Sequence, residues 1–279
     1  MTAFSLIAAA LTIVAKTGMA PGDNPLAVSP IDGLKGPVEV TAADGSKVPC
    51  AVRTDGDGRR FVAFRLGEVE ILQRLEFRVS ECAVAGKELE GVPKVLPGMN
   101  LFTNPDLTRR DESGDPVGWW PSPGYGQKKK WTDENRADVK VADGKVGFQN
   151  GCWVTYLTGL EEGHAYRLSF DAISQAKRAG LTIWYCGKDG RWPSPLPGVG
   201  NYKCSNGIPK TGSWTHIEQE SFIYLDKASK RHIFNNTKLL PGTGAAYVQI
   251  WVEEGRVAVR NLRYEDVTLD TGIKTEIRK

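Results

Sequence analysis

The chain has 279 residues, 41% of them hydrophobic, and 36 basic side chains against 33 acidic ones leave a net charge of +3. A balance this close gives no polycationic surface for nucleic acid or an anionic membrane, and the one basic triplet, Lys128–Lys130, is too short to grip a phosphate backbone. The length admits two domains with real cores, and 31 Gly and 16 Pro favour many short strands over long helices.

At the start of the chain, Phe4–Val14 is an apolar run of signal-peptide length, too short to span a bilayer. Small residues at Gly18-Met19-Ala20 precede Pro21-Gly22-Asp23, which predicts an export signal over residues 1–20 and a secreted, periplasmic or cell-surface location. The pattern departs from a usual signal in having no Lys or Arg before the run. Cysteine spacing agrees with export. Cys50 and Cys82 bracket a β-rich segment and Cys186 and Cys204 a Pro/Gly-rich loop, so two local disulfides are compatible with the sequence and leave Cys152 free; other pairings stay open. A transition-metal site is not expected, because no CxxC pair occurs and His164, His216 and His232 are scattered.

Residues 24–85 read as a compact β-meander: Val38 and Val40, a turn at Asp44-Gly45, Val48–Val52, a turn at Asp55–Gly58, Phe61–Phe64 and Leu75–Val79. This run loosely resembles the small β-sandwich domains that accompany glycoside hydrolases, and the resemblance implies a scaffolding role. Ala83–Gly98 is polar and Pro-containing without sustained periodicity, which predicts a linker over 86–98 and a domain boundary there.

From Met99 onward the motifs become more specific. Asn100-Leu101-Phe102 and Asn104-Pro105-Asp106-Leu107 lead into Pro116-Val117-Gly118-Trp119, then come Leu160–Phe170 (LEEGHAYRLSF), Gly212–His216 (GSWTH) and Val257–Leu269. In this order they resemble the carbohydrate-binding modules of the CBM4/CBM22 jelly-roll type over residues 99–269. The resemblance implies an all-β chain of two sandwiches, the C-terminal one (99–270) a jelly-roll, followed by a tail at 271–279. It also implies a candidate structural calcium, for which Asp106 and Asp266 are the oxygen ligands on hand, although Thr108 stands where the family often has an acid.

The binding residues are read from alternation. In Ala245–Leu269, Val248, Ile250 and Val252 alternate with Tyr247, Gln249 and Trp251, so an extended strand carries aliphatics on one face and rings with an amide on the other. Glu254-Gly255 predicts a reversal, with Val257–Leu269 closing a hairpin. Leu181, Ile183 and Tyr185 likewise oppose Thr182, Trp184 and Cys186, and Tyr166, Leu168 and Phe170 oppose Arg167, Ser169 and Asp171. If these non-core faces share one sheet, Tyr247, Gln249, Trp251, Trp184, Arg167 and Asp171 line a trough suited to an oligosaccharide, since flat rings take pyranose faces and planar polar groups fix hydroxyls. Connecting segments add Trp120, Tyr125, Trp192 and Tyr202, while Trp119 is expected to pack inside. All eight Trp lie after residue 118.

The partner expected is therefore a poly- or oligosaccharide, bound without catalysis and in support of a separate glycan-degrading enzyme. Two other classes fit the same residues: a structural or adhesive surface protein with no sugar site, and a jelly-roll lyase or glycosidase. For the latter, no nucleophile elbow, HExxH or P-loop motif is present.

Overall fold

The structure, a computed structural model, describes residues 10–18, 24–84, 86–112, 115–122, 140–142, 145–147, 151–188, 199–219, 222–226, 228, 230–235, 238–253, 257–268 and 273–278. Among these the regular elements are β-strands, as the all-β reading expects, and no helix is long and apolar enough to cross a membrane. The first strands are β1 (Ala10–Thr17), β2 (Leu26–Pro30), β3 (Val38–Ala42), β4 (Lys47–Val48), β5 (Cys50–Thr54), β6 (Arg60–Arg65) and β7 (Arg74–Glu81). There follow β8 (Trp120–Ser122), β9 (Lys140–Ala142), β10 (Lys145–Gly147), β11 (Gly151–Thr158), β12 (Tyr166–Ser174), β13 (Arg178–Gly187) and β14 (Val199–Gly207). The last are β15 (Thr215–Gln219), β16 (Phe222–Asp226), β17 (Arg231–Asn235), β18 (Thr243–Glu253), β19 (Val257–Asp266) and β20 (Ile273–Arg278). Two compact units result, Met1–Met99 joined by Leu269–Lys279, and Asn100–Thr268.

The first unit is a sandwich of a five-stranded sheet, ordered β20-β1-β7-β3-β4, and a three-stranded sheet, ordered β2-β6-β5. Period-two alternation sends Val38 and Val40 from β3 and Phe77 and Val79 from β7 into a core that also holds Ile13, Ala15, Val62 and Phe64. The predicted turns form: Gly45 takes φ 85°, open to a residue without Cβ, while the Asp44 carboxylate accepts the Ser46 amide at 2.9 Å.

Three sequence expectations change in this unit. Ala10–Thr17, assigned to an export signal, is an interior strand: β1 is hydrogen-bonded to both β7 and β20, and Ile13, Val14 and Ala15 are fully buried. A short, largely apolar stretch such as Leu11–Ala15 satisfies a buried strand as well as a signal core, and composition alone does not separate them. The tail at 271–279 is likewise part of the fold, since β20 pairs with β1 from Thr12↔Arg278 to Thr17↔Ile273. The stretch expected as a linker packs instead: Leu89 donates its amide to the Cys50 carbonyl, the Pro93 carbonyl accepts from Arg53, and Val95 and Leu96 are buried.

The second unit pairs a seven-stranded sheet, ordered β17-β16-β14-β13-β18-β11-β8, with a three-stranded one, ordered β15-β12-β19; β9 and β10 form a separate hairpin. Inward residues follow the alternation read from sequence. Leu181, Ile183, Tyr185, Val248, Ile250 and Val252 from the large sheet meet Tyr166, Leu168, Phe170 and Tyr264 from the small one. The hydroxyls of Tyr185 and Tyr264 meet at 2.8 Å inside the core, bonding one sheet to the other. The expected β18–β19 hairpin is not formed: β18 has both its edges taken by β11 and β13, so β19 crosses to pair with β12.

The expected disulfides are also absent, as all five cysteines are free thiols. Strand geometry explains the second pair. Cys186 alternates with Trp184 on the outer face of β13, whereas Cys204, directly opposite Ile183, is in the core, so the two point to opposite faces. Burial pushes the Cys204 thiol up to about 12. Cys50 begins β5 of the three-stranded sheet and Cys82 follows the end of β7, and burial, followed by the proximity of Cys82, raises the Cys50 thiol.

Candidate functional site

The turn Pro116–Trp119 sets the edge of the site. Trp119 donates its amide to the Pro116 carbonyl at 2.9 Å and Gly118 takes φ 79°, the left-handed third position of a type II turn. Trp119 is thereby turned inward, stacked on Phe102 with centroids 5.8 Å apart and its indole N–H donated to the Thr103 carbonyl. Its neighbour Trp120 consequently begins β8 on the outer face. The Thr155 hydroxyl donates to the Gly118 carbonyl at 2.6 Å and fixes this turn against β11.

Register then arranges the outer face of the large sheet in ranks. Tyr156, Tyr247, Trp184 and Lys203 stand directly opposite one another across β11, β18, β13 and β14. With strands about 4.8 Å apart, this rank covers roughly 14 Å, the scale of a short oligosaccharide rather than one ring. The next rank is Trp120, Val154, Gln249, Thr182 and Ser205, and the one beyond contains Cys152, Trp251, Gly180 and Gly207.

Rings adjoin rings here. Trp120 lies 5.4 Å from Tyr156 at 32°, and Tyr156 lies 5.4 Å from Tyr247 edge to face. Trp120 and Tyr156 are each 40% exposed, the only large aromatics so exposed among the described residues. Partial burial raises the Tyr156 phenol above its ordinary value, so it is a neutral O–H at physiological pH. Trp251 is held differently: its indole lies against Gly180, its N–H donates to the Thr182 hydroxyl at 3.1 Å, and the Arg178 guanidinium sits 5.9 Å from its centroid. Gln249 is nearly buried, its amide donating to Cys152 Sγ at 3.1 Å. The Lys203 ammonium lies 4.9 Å over the Trp184 ring.

Of the residues expected to line one trough, the structure unites Tyr247, Gln249, Trp251, Trp184 and Trp120. Arg167 and Asp171 do not join them, because β12 belongs to the three-stranded sheet, whose outer face they occupy. There Arg167 faces Glu218 at 3.4 Å, and Asp171 accepts from His216 at 2.9 Å and Asn261 at 2.6 Å, with Arg260 at 3.4 Å. Burial would raise the Asp171 carboxyl, yet these three donors together hold it below the ordinary carboxylate range. Trp214 stacks on the Arg260 guanidinium at 4.2 Å. Tyr125 and Trp192 lie outside the described residues, as does the side chain of Tyr202, whose backbone is in β14.

The two carboxylates considered for calcium are not brought together. Asp106 accepts the Asn261 amide at 2.8 Å, whereas Asp266 accepts from His164 at 2.6 Å and from the Thr268 amide at 2.8 Å. The two anchor points, Asn261 and Asp266, are different positions along β19. Among the described residues no group of three His, Cys, Asp or Glu is placed to hold a metal ion.

Sequence reading missed Tyr156, Lys203, Ser205 and Gly180. Tyr156 was hidden because β11 is apolar on both faces, with Trp153, Thr155 and Leu157 inward and Cys152, Val154 and Tyr156 outward. The strand pairings supply what alternation lacks, since Tyr156 is directly opposite Tyr247.

No family model matches the sequence, and no curated protein matches it. Among solved structures the chain is similar to a CBM4 structure (10% identity, TM-score 0.34, 59% of this chain and 98% of that one). It is also similar to the N-terminal CBM22-1–CBM22-2 tandem domain of Paenibacillus barcinonensis Xyn10C (13% identity, TM-score 0.35, 92% and 79%). A third is the enzymatically active domain of bacteriophage CBA120 tailspike protein 4 (13% identity, TM-score 0.30), where 46% of this chain spans only 15% of that one.

Proposed function

We propose that the Asn100–Thr268 unit binds a saccharide on the outer face of its seven-stranded sheet and does not cleave it. The observation that carries this is the pair Trp120 and Tyr156, in mutual contact and 40% exposed, continuous with Tyr247 in a unit whose core is complete on the opposite face of the same sheet. A large ring gains most when buried, and contiguous exposed rings on a rigid sheet mark a surface made to be covered. Beside them stand the partly exposed Lys203 ammonium and Ser205 hydroxyl, groups that bind and orient hydroxylated rings. Glycan-degrading enzymes are the partners such a module would serve, and a secreted or cell-surface location fits that role.

Affinity electrophoresis on a panel of soluble polysaccharides tests this. The wild type is expected to be retarded by at least one glycan, and Tyr156→Ala or Trp120→Ala to weaken binding by about tenfold, the effect of truncating a binding hot spot. Release of reducing ends or unsaturated products from the bound glycan would overturn the non-catalytic part. Unchanged retardation in both variants would overturn the site.

A further inference from the structure

We infer that the ligand of this face is an acidic saccharide, its anionic group received by Lys203 and Ser205 on β14; this rests on the saccharide-binding reading above. Two independent features point there. Lys203 continues the Tyr156–Tyr247–Trp184 rank onto β14, and its ammonium rests over the Trp184 ring rather than on a carboxylate. A neutral sugar stacking on Trp184 would displace this ammonium and offer it only neutral hydroxyl acceptors, whereas an acidic one supplies its counter-charge and the stronger charge-assisted hydrogen bond.

The second feature is a linked pair of hydroxyls. The Trp251 indole can only donate, so the Thr182 hydroxyl is its acceptor at 3.1 Å. Thr182 is buried, and its hydroxyl is hydrogen-bonded to Ser205 Oγ 3.0 Å away, where either oxygen can be the donor. Ser205 is partly exposed, so its hydroxyl has room for a further bond to a group outside the protein. Lys203 and Ser205 are two residues apart on one strand and point to the same face, so an ammonium and a hydroxyl donor stand about 7 Å apart at their backbones and converge outward. Two donors side by side fit the oxygens of one anionic substituent, either a uronic-acid carboxylate or a sulfate ester.

Matched polymer pairs distinguish these sources: polygalacturonate against galactan for the carboxylate, dextran sulfate against dextran for the ester. Binding is measured at physiological salt for the wild type and for Lys203→Gln, Lys203→Glu, Ser205→Ala, Tyr156→Ala and Lys210→Gln, the last altering an exposed lysine outside the ranks. The acidic member of one pair is expected to bind more tightly than its neutral partner. Lys203→Gln should cost about fivefold and Ser205→Ala about threefold on that acidic polymer alone, with Lys203→Glu removing the preference and Lys210→Gln retaining it. Equal binding of both members, unaffected by Lys203→Gln but lost in Tyr156→Ala, overturns the acidic ligand and leaves the stacking site standing. A preference that survives Lys203→Glu, or that Lys210→Gln abolishes, reflects diffuse charge and overturns it too. No binding of any polymer by the wild type overturns both.

Discussion

Replacing Gly180 by alanine probes how the ring face is built. A Cβ at this position would lie 2.6 Å from Cζ2 of Trp251 and 2.6 Å from the backbone carbonyl oxygen of Asn206. Atoms in contact need about 3.5 Å or more, and only one of these neighbours is a side chain able to swing away. If Trp251 moves, its N–H leaves the Thr182 hydroxyl, and the Thr182–Ser205 pair loses that anchor. If it stays, the β13–β14 ladder must open at Gly180↔Gly207. Either response resembles overpacking, which costs about 1–3 kcal/mol, and in a unit of this size 1 kcal/mol moves the midpoint by about 2–4 °C. Gly180→Ala is therefore expected to lower the melting temperature of this unit by roughly 2–12 °C, followed by calorimetry, with a change in tryptophan emission. Adding Trp251→Ala should recover only part of the loss, because the Asn206 carbonyl remains. A Gly180→Ala protein with unchanged melting would refute the close packing of the indole on this strand.

Other expectations follow from individual groups. Ile13→Ala, a truncation at a fully buried position, should cost the first unit about 2–5 kcal/mol, seen as a separate fall in its thermal transition; an unshifted transition would contradict an interior β1. The Asp171 hydrogen bond, followed by Glu218, raises His216 above its ordinary 6.5, so its contribution is full below that value and disappears as pH rises through the folded-state pKa. Asp171, held below its ordinary 3.8, contributes above that value and ceases as pH falls through its own depressed pKa. His216→Ala should therefore destabilise slightly at pH 5.5 and not at pH 8, by well under 1 kcal/mol for so exposed a pair; a larger loss at pH 8 would reverse the sign. With its thiol at about 12, Cys204 has a thiolate fraction on the order of one in ten thousand at pH 8, so it should resist a disulfide reagent until the protein unfolds. Rapid labelling of native Cys204, read by peptide mass, would contradict its burial.

The fold was legible wherever one face of a strand was plainly apolar. Val248-Ile250-Val252, Leu181-Ile183-Tyr185 and Leu168-Phe170 all point inward as their alternation required, because period two is a local property of extended chain. Which sheet each strand joins is not local. Arg167 and Asp171 were grouped with Trp184 because outward residues look alike in every sheet, and only the β12–β19 pairing separates them. The hairpin expected at Glu254-Gly255 failed for the same reason: a turn signal says that the chain reverses, not that the edge beside it is free. Phe4–Val14 reads like a signal core since an export signal and a strand buried on both faces both favour a mostly apolar run. The ring site was half visible, with Tyr247, Trp251 and Trp184 declared by alternation and Tyr156 emerging only from its place opposite Tyr247.

The pairing of β1 with β20 has a bearing on how the molecule comes into being on the ribosome. Hydrogen bonds of one sheet join residues 12–17 to residues 273–278, so the earlier partner must wait through synthesis of everything between. Residues 100–268 draw no strand from either flank and can acquire their structure meanwhile. The unit that holds β1 is thus completed only after residues 100–268 have been made, and a frameshift or nick near Ile273 would leave β1 with one open edge, a template for pairing with another chain.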